Sequence, residues 1–196
     1  MYKDMSNMFK NIQIGEYRLE NFEITPENQS FRNPIPYGKY VRLLKGSGLF
    51  TEVIMSNTPM EMRRNAEFVR KAHGNILIAG LGIGMILLAI QDKPMVKSIT
   101  VVEYSPEVMQ MVLPQLPLNN KVKVVQGDIF EWSPPRGTKY DVIYFDIWNY
   151  INSDVYEEMK LLKNRFRHRL VSKKENPDSF MSCWAEREAK SNSRLY

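Results

Sequence analysis

The chain has 196 residues and a formal net charge of +5, with 43% hydrophobic and 25% charged residues. These values are ordinary for a soluble globular protein, and they predict one domain with at most a small appendage. The single cysteine, Cys183, excludes an internal disulfide, and no apolar run reaches the roughly 18 residues of a membrane span. Because the N-terminus has no apolar signal core, we expect a cytoplasmic protein that does not act at a membrane.

Residues 1–57 predict a small antiparallel β unit. The segments GEYRLENFEI, YGKYVRLLKG and LFTEVIMS are typical of short strands, and Pro, Asn and Gly turns separate them. The following segment, SNTPMEMRRNAEFVRKAHG, predicts a helix. Thr58 and Glu61 match a capping box at its start, and Gly74 is suited to end it.

Residues 58–171 predict a Rossmann-like domain. The runs NILIAG, SITVVEY, VKVVQGD and YDVIYFDIW have strand length, and their two apolar faces are typical of a parallel sheet covered by helices. GMILLAIQDK and SPEVMQMVL, which lie between strands, have helical patterns, and Ser105 suits an N-cap. This alternation predicts a doubly wound α/β fold with a mainly parallel sheet. The sheet is expected to be short, because no convincing fifth strand follows the helix predicted at 153–171.

Residues 172–196 predict a basic C-terminal tail that either docks through Phe180, Met181 and Trp184 or frays. Residues 160–196 contain ten Lys and Arg but only four acids, so the basic excess of the chain lies at this end. A solvated helix and tail is the favoured interpretation, and a surface that binds nucleic acid is the alternative. An exposed sheet edge makes a homodimer a further expectation.

Four features follow the predicted parallel strands, at the edge where open α/β sheets bind ligands. The first is GLGIG, in which Gly80, Gly82 and Gly84 allow the backbone to pass close to a ligand. A helix packed tightly on a strand also requires glycine, so this loop alone leaves both interpretations open. The second is Glu103, about twenty residues further on, where an acid can accept hydrogen bonds from ribose hydroxyls.

The third feature is GDIF, in which Asp128 can accept from an adenine amino group and the backbone N–H of Ile129 can reach a ring nitrogen. A helix N-cap is an equal alternative for Asp128. Tyr104 can flank the same ring. The fourth feature is Asp146, whose carboxylate can bind a cationic group or take a proton from an amine, and a strand-end cap is the alternative. No cluster of His or Cys predicts a metal site, and Cys183 is interpreted as an ordinary thiol.

In order and spacing, NILIAGLGIG, VVEYSPEV, VVQGDIFEW and YDVIYFDIW resemble the class I S-adenosylmethionine-dependent methyltransferases. YGKYVRLLKGSGLFTEVIMSNTPMEM is similar to the strand pair that precedes the nucleotide site in aminopropyltransferases, so the resemblance extends to the spermidine synthase branch and covers residues 38–171. An NAD-type Rossmann site would share the glycines and Glu103, whereas GDIF and YFDIW favour S-adenosylmethionine.

The resemblance implies S-adenosylmethionine as the cofactor. It implies Asp146 as the catalytic residue, which would orient or deprotonate a small-molecule acceptor of the amine type. The implied cofactor-binding residues are Gly80, Leu81, Gly82, Gly84, Glu103, Tyr104, Asp128, Ile129 and Asp146.

Two departures from the spermidine synthase pattern shape the functional prediction. Those enzymes carry a Gly-Gly-Gly-Asp-Gly-Gly type of loop, where this chain has Leu81 and Ile83 between its glycines, and they carry a second Asp at the position of Asn149. We therefore predict a transferase of the spermidine synthase-like type that uses S-adenosylmethionine, with methyl transfer favoured. The alternatives are aminopropyl transfer from decarboxylated S-adenosylmethionine and a non-catalytic module that binds nucleotides or nucleic acid.

Overall fold

A computed structural model describes residues 2–31 and 34–191, so residues 192–196 of the predicted tail lie outside the described residues. The N-terminal part forms one four-stranded sheet in which every neighbouring pair is antiparallel. This confirms the small antiparallel β unit expected from the sequence. Its strands, in spatial order, are β1 (Ile12–Ile14), β2 (Tyr17–Ile24), β3 (Gly38–Lys45) and β4 (Glu52–Ser56).

The rest of the described chain alternates between helices and strands. The alternation follows from apolar runs of strand length that turns separate from amphipathic or apolar helical segments. The elements are α1 (Pro59–Lys71), β5 (Gly74–Ala79), α2 (Met85–Ile90), β6 (Val96–Glu103), α3 (Pro106–Val112), β7 (Val122–Gln126), β8 (Val142–Phe145), α4 (Ser153–Phe166), β9 (Phe180–Cys183) and α5 (Glu186–Ser191).

These strands form a five-stranded parallel sheet with the order β7-β6-β5-β8-β9. The chain builds outward from β5 to β7 and then returns to the other side of β5 with β8, which confirms the doubly wound, Rossmann-like fold. All four residues of β8 and all six residues of α2 are buried. The continuous apolar character of these segments is therefore explained by burial on all sides.

Strand β9 corrects the expectation that no fifth strand follows the 153–171 helix. Phe180–Cys183 pairs in parallel with β8 along its whole length, from Val142 opposite Phe180 to Phe145 opposite Cys183. The island of apolar residues in the predicted tail is thus a strand of the sheet, followed by α5, which packs beside α4. The sequence did not predict this strand, because polar residues surround it and an edge strand of four residues needs little apolar sequence.

The start of α1 also differs from the prediction. Thr58 is the N-cap residue, but its side chain makes no capping hydrogen bond to the helix and instead lies 3.0 Å from the hydroxyl of Ser56. Glu61 does not accept the N–H of the N-cap residue and bonds instead to Arg64 and Trp184. Gly74, expected to end the helix, begins β5 with a φ of +63°, and the helix ends at Lys71.

Candidate functional site

A cavity of about 430 Å³ lies at the carboxyl edge of the parallel sheet. One wall is formed by the ends of β5, β6 and β8 and the loop after β7, and the facing wall comes from the N-terminal sheet. A volume of this size is typical of a pocket for a nucleoside-sized ligand. The N-terminal sheet contributes Tyr17, Leu43, Lys45, Glu52, Ile54 and Met55 to the lining.

The glycine loop follows β5 and forms the floor of this cavity. Gly80 has a φ of +95°, and a Cβ atom there would collide with the backbone carbonyl oxygen of Asp146. Gly82 has a φ of +51°, and a Cβ atom there would collide with the sulfur of Met55 in β4. The positive φ favours glycine at both positions, and at Gly80 the fixed backbone carbonyl also excludes a side chain, whereas at Gly82 the flexible Met55 side chain would have to move. The loop is packed between the end of β8 and the N-terminal sheet.

Glu103, the last residue of β6, holds the glycine loop in place. One carboxylate oxygen accepts the backbone N–H of Leu81 at 2.7 Å, and the other accepts the backbone N–H of Ser105 at 2.8 Å. Burial raises the pKa of this carboxyl group, while the backbone hydrogen bonds act in the opposite direction. Glu103 thus joins the loop to the start of α3, where Ser105 caps the helix by accepting from Val108 at 3.1 Å.

Three further predicted residues line the cavity near Glu103. Tyr104 is 71% exposed, so its ring is free to cover a planar ligand. Asp128 accepts the backbone N–H of Phe130 at 2.9 Å within a turn, and because the described residues between β7 and β8 form no helix, the helix N-cap alternative is wrong. Its second carboxylate oxygen is available to a ligand. The side chain of Ile129 is buried. These residues lie together at the ends of β6 and β7, as their positions after neighbouring strands predict.

Asp146 follows β8 and lies across the glycine loop from Met55. Its backbone N–H donates to the carbonyl of Ala79 at 2.8 Å, but its carboxylate makes no hydrogen bond or ion pair with any described residue. Burial, with a smaller contribution from the charge of Glu61, raises the pKa of this carboxyl group to about 8. An acid with these properties can exchange a proton near neutral pH, which suits general acid or base chemistry.

Seven of the predicted site residues therefore line one cavity, while two do not. Leu81 is 2% exposed and contributes its backbone N–H to Glu103 rather than a side chain to the cavity. Gly84 precedes α2 and lies against Leu116. The residues that line the cavity are Gly80, Gly82, Glu103, Tyr104, Asp128, Ile129 and Asp146.

Two residues at the Asp146 end of the cavity were not expected from the sequence. Glu61 comes from the first turn of α1, and Trp184 follows β9. The indole N–H of Trp184 donates to the Glu61 carboxylate at 3.2 Å. No signal in the sequence pairs these positions, because Glu61 fits a local capping box and Trp184 lies in the predicted tail.

No protein-family model matches this sequence, and no curated protein matches it. Among solved structures, a methyltransferase, CcbJ from Streptomyces caelestis, is similar with a TM-score of 0.48 and 20% identity over 64% of this chain and 49% of that chain. The N-methyltransferase NodS from Bradyrhizobium japonicum WM9, in complex with S-adenosyl-L-homocysteine, gives a TM-score of 0.44 and 18% identity over 58% of each chain. The plantazolicin methyltransferase BpumL gives 0.40 and 23% over 56% of this chain and 39% of that chain. The chain thus spans less than two thirds of the length of these proteins, and TM-scores below 0.5 carry no weight for its function.

In residues 2–31 and 34–191 no group of three or more His, Cys, Asp or Glu side chains is arranged to hold a metal ion. No helix in the same ranges combines the length and the apolar character that crossing a membrane requires.

Proposed function

We propose that the chain is a methyltransferase that binds S-adenosylmethionine in the cavity above the glycine loop. The observation that carries this proposal is the convergence of the predicted residues on one cavity at the carboxyl edge of the sheet, where doubly wound folds bind nucleotides. The cavity volume and its mixed lining of apolar and polar side chains fit a nucleoside.

The residues present suit the parts of this cofactor. The Glu103 carboxylate is placed to accept ribose hydroxyls, and Tyr104 is placed to cover the adenine ring beside Asp128 and Ile129. Gly80 and Gly82 line the cavity, so the amino-acid part of the cofactor would lie along the backbone of this loop. When bound, S-adenosylmethionine supplies an electrophilic methyl group to a nucleophile.

Asp146 is the residue that we propose to act on the acceptor. Its carboxylate has no partner among the described residues and is positioned at the end of the cavity away from Tyr104. With a pKa of about 8, it can hold an acceptor amine by a hydrogen bond and remove its proton as the nitrogen becomes bonded to carbon. Most of the remaining rate enhancement would come from holding the acceptor in line with the electrophilic carbon.

Within this class we propose the spermidine synthase-like type. The support is the N-terminal sheet, because β3 and β4 lie where the resemblance places a strand pair and their side chains line the cavity. Asn149, which also lines the cavity, stands in place of a second Asp. We therefore favour methyl transfer over aminopropyl transfer, and incubation with putrescine and decarboxylated S-adenosylmethionine is expected to give no spermidine.

A small-molecule acceptor is favoured over nucleic acid by the contacts of the basic C-terminal end. Lys163 pairs with Glu186, Arg187 pairs with Glu67, and Arg165 donates to backbone carbonyls of the loop after β7. These cations are paired with groups of the same chain, which agrees with the interpretation of this end as a solvated helix and tail. Dimerisation through a sheet edge and a cytoplasmic location stay predictions.

Calorimetric titration with S-adenosylmethionine and S-adenosylhomocysteine tests the proposal. We expect micromolar affinity for both, and at least a tenfold loss in Glu103→Ala, about 1.4 kcal/mol, because the loop and the ribose lose the same carboxylate. Glu131→Ala is the matched control, since this exposed acid does not line the cavity. Absence of binding, or equal binding by Glu103→Ala, would overturn the proposal.

A further inference from the structure

Glu61 is a buried carboxylate held in one orientation by two side chains. It is 12% exposed and accepts from the guanidinium of Arg64 at 3.3 Å, one turn further along α1. Its other oxygen accepts the indole N–H of Trp184 at 3.2 Å. Burial raises the pKa of Glu61, whereas Arg64 and Trp184 lower it. Burial of this carboxylate costs free energy, because its two partners satisfy only part of its hydrogen-bonding capacity.

Trp184 connects this carboxylate to the strand end that carries Asp146. Its backbone N–H donates to the carbonyl of Phe145 at 2.8 Å, directly before Asp146. Its ring is 4% exposed, and the guanidinium of Arg64 lies 5.4 Å from the ring centroid. The next residue, Ala185, has a φ of +49°, which is a strained conformation for a residue other than glycine. The chain therefore bends sharply just where the indole enters the cavity wall.

The two carboxylates face the same end of the cavity, and the charge of Glu61 acts on Asp146. The cavity lining contains one Lys or Arg among the described residues, Lys45, and it is paired with Glu16 at 3.3 Å on the N-terminal sheet. At the acceptor end the two acids have one cationic partner among the described residues, Arg64, which pairs with Glu61 from outside the lining and leaves Asp146 without a cation. An ammonium group with two or three N–H donors satisfies such a pair better than a hydroxyl group with one.

We propose that Glu61 is a second binding residue for a cationic acceptor, and that Trp184 is the positioning residue that holds its carboxylate toward Asp146. This inference rests on the proposed methyltransferase function and narrows its acceptor to a primary or secondary ammonium compound. It assigns a role to the C-terminal segment, because Trp184 follows β9 and its indole bonds to Glu61 of α1. Glu61 and Trp184 then determine acceptor specificity, while Glu103 and the glycine loop bind the cofactor.

The test uses the full chain saturated with S-adenosylhomocysteine, with butylamine as the probe and 1-butanol as a neutral probe of the same length. NMR of the carboxyl carbons follows Asp146 and Glu61. We expect butylamine, and not butanol, to move both signals. Glu61→Gln is expected to weaken butylamine binding about tenfold, because the substitution removes the charge but keeps an acceptor for Trp184. Trp184→Phe is expected to weaken it about threefold, because it removes only the N–H donor.

A second measurement, the pKa of Asp146, distinguishes a positioning role of Trp184 from a purely structural one. The pKa of Asp146 should fall in Glu61→Gln, and also in Trp184→Phe if the released carboxylate turns away. Tyr2 and Tyr144 also face Asp146, but burial raises the pKa of both, so they stay neutral in this range. Glu67→Gln, on the exposed side of α1, is the matched control and should change neither the pKa nor butylamine binding.

The outcomes decide between the two proposals. If the wild-type chain does not bind S-adenosylhomocysteine, the methyltransferase proposal fails. If it does bind, but butylamine and butanol act alike or Glu61→Gln binds butylamine as wild type does, the cation site is refuted while the cofactor site stands. Thermal unfolding and S-adenosylhomocysteine affinity of each variant show whether it is folded. Should Trp184→Phe not fold, Glu61→Gln alone decides the role of Glu61.

Discussion

The substitution Asp146→Asn is expected to stabilise the protein at alkaline pH. In the folded chain the pKa of Asp146 is raised from 3.8 to about 8, mainly by burial and then by the charge of Glu61. A raised pKa favours the protonated form in the folded state, so the carboxyl contributes its full stability at low pH and loses it as pH rises toward 8. Asparagine has nearly the shape of the protonated acid and does not titrate.

The size of the effect follows from the shift. At about 1.36 kcal/mol per pKa unit, the change from 3.8 to about 8 sets a ceiling of about 6 kcal/mol. The cavity is open to water, which screens the charge, so we expect the variant to be more stable than wild type by about 2 kcal/mol at pH 9. Because only part of the stability loss in wild type has occurred by pH 5.5, the difference in unfolding free energy between variant and wild type should be below about 1 kcal/mol there.

Urea unfolding at pH 5.5 and pH 9, followed by tryptophan fluorescence, measures the difference. Asp141→Asn is the matched control at the opposite end of β8. There the carboxylate accepts from Asn75 and Asn176, each at 2.7 Å, so its substitution should destabilise the chain by about 1–3 kcal/mol at both pH values. If Asp146→Asn were equally or less stable than wild type at pH 9, the explanation by burial of an unpaired carboxyl would be refuted.

Three further predictions concern the loop and the sheet. Gly82→Ala is expected to destabilise the chain by about 1–2 kcal/mol more than Gly137→Ala and to weaken S-adenosylhomocysteine binding in calorimetry, because both have positive φ but only Gly82 lies against Met55. Glu103→Gln is expected to cost about 1–2 kcal/mol in urea unfolding, because one amide N–H must face a backbone N–H. A chain that ends at Val171 lacks β9 and exposes β8, so we expect it to lose cooperative thermal unfolding, and a native-like transition would show that β9 is dispensable.

The parallel core was predictable because its signals are local and redundant. The β5 and β8 segments are apolar on both faces, and α2 is apolar all round, so only a sheet covered on both sides can bury them. Ser105 was predictable as an N-cap for the same reason, since its hydroxyl bonds three residues ahead. Strand β9 was not predictable, because its pairing with β8 depends on contacts remote in sequence rather than on its own pattern.

The proposed cofactor end and the proposed acceptor end of the cavity also differ in how far the sequence predicts them. Glu103 ends β6 and Asp128 follows β7, and parallel strands bring their ends to one edge, so topology alone places them together. Asp146 was found by the same rule. Its local alternative as a strand-end cap lacks support, because the carboxylate accepts no hydrogen bond from a described residue.

The contacts of Glu61, in contrast, were not predictable from the sequence. Its spacing from Thr58 fits a capping box, which would have made it a local, structural acid. The N–H of Thr58 instead lies 3.4 Å from the Ser56 hydroxyl, and Glu61 accepts from Trp184, 123 residues away. The local pattern therefore predicted the wrong partner for Glu61, whose position in the proposed acceptor end depends on tertiary packing. Because Trp184 also bonds to the strand that carries Asp146, the segment after β9 sets the geometry of that end, and acceptor specificity should vary with this segment rather than with the glycine loop.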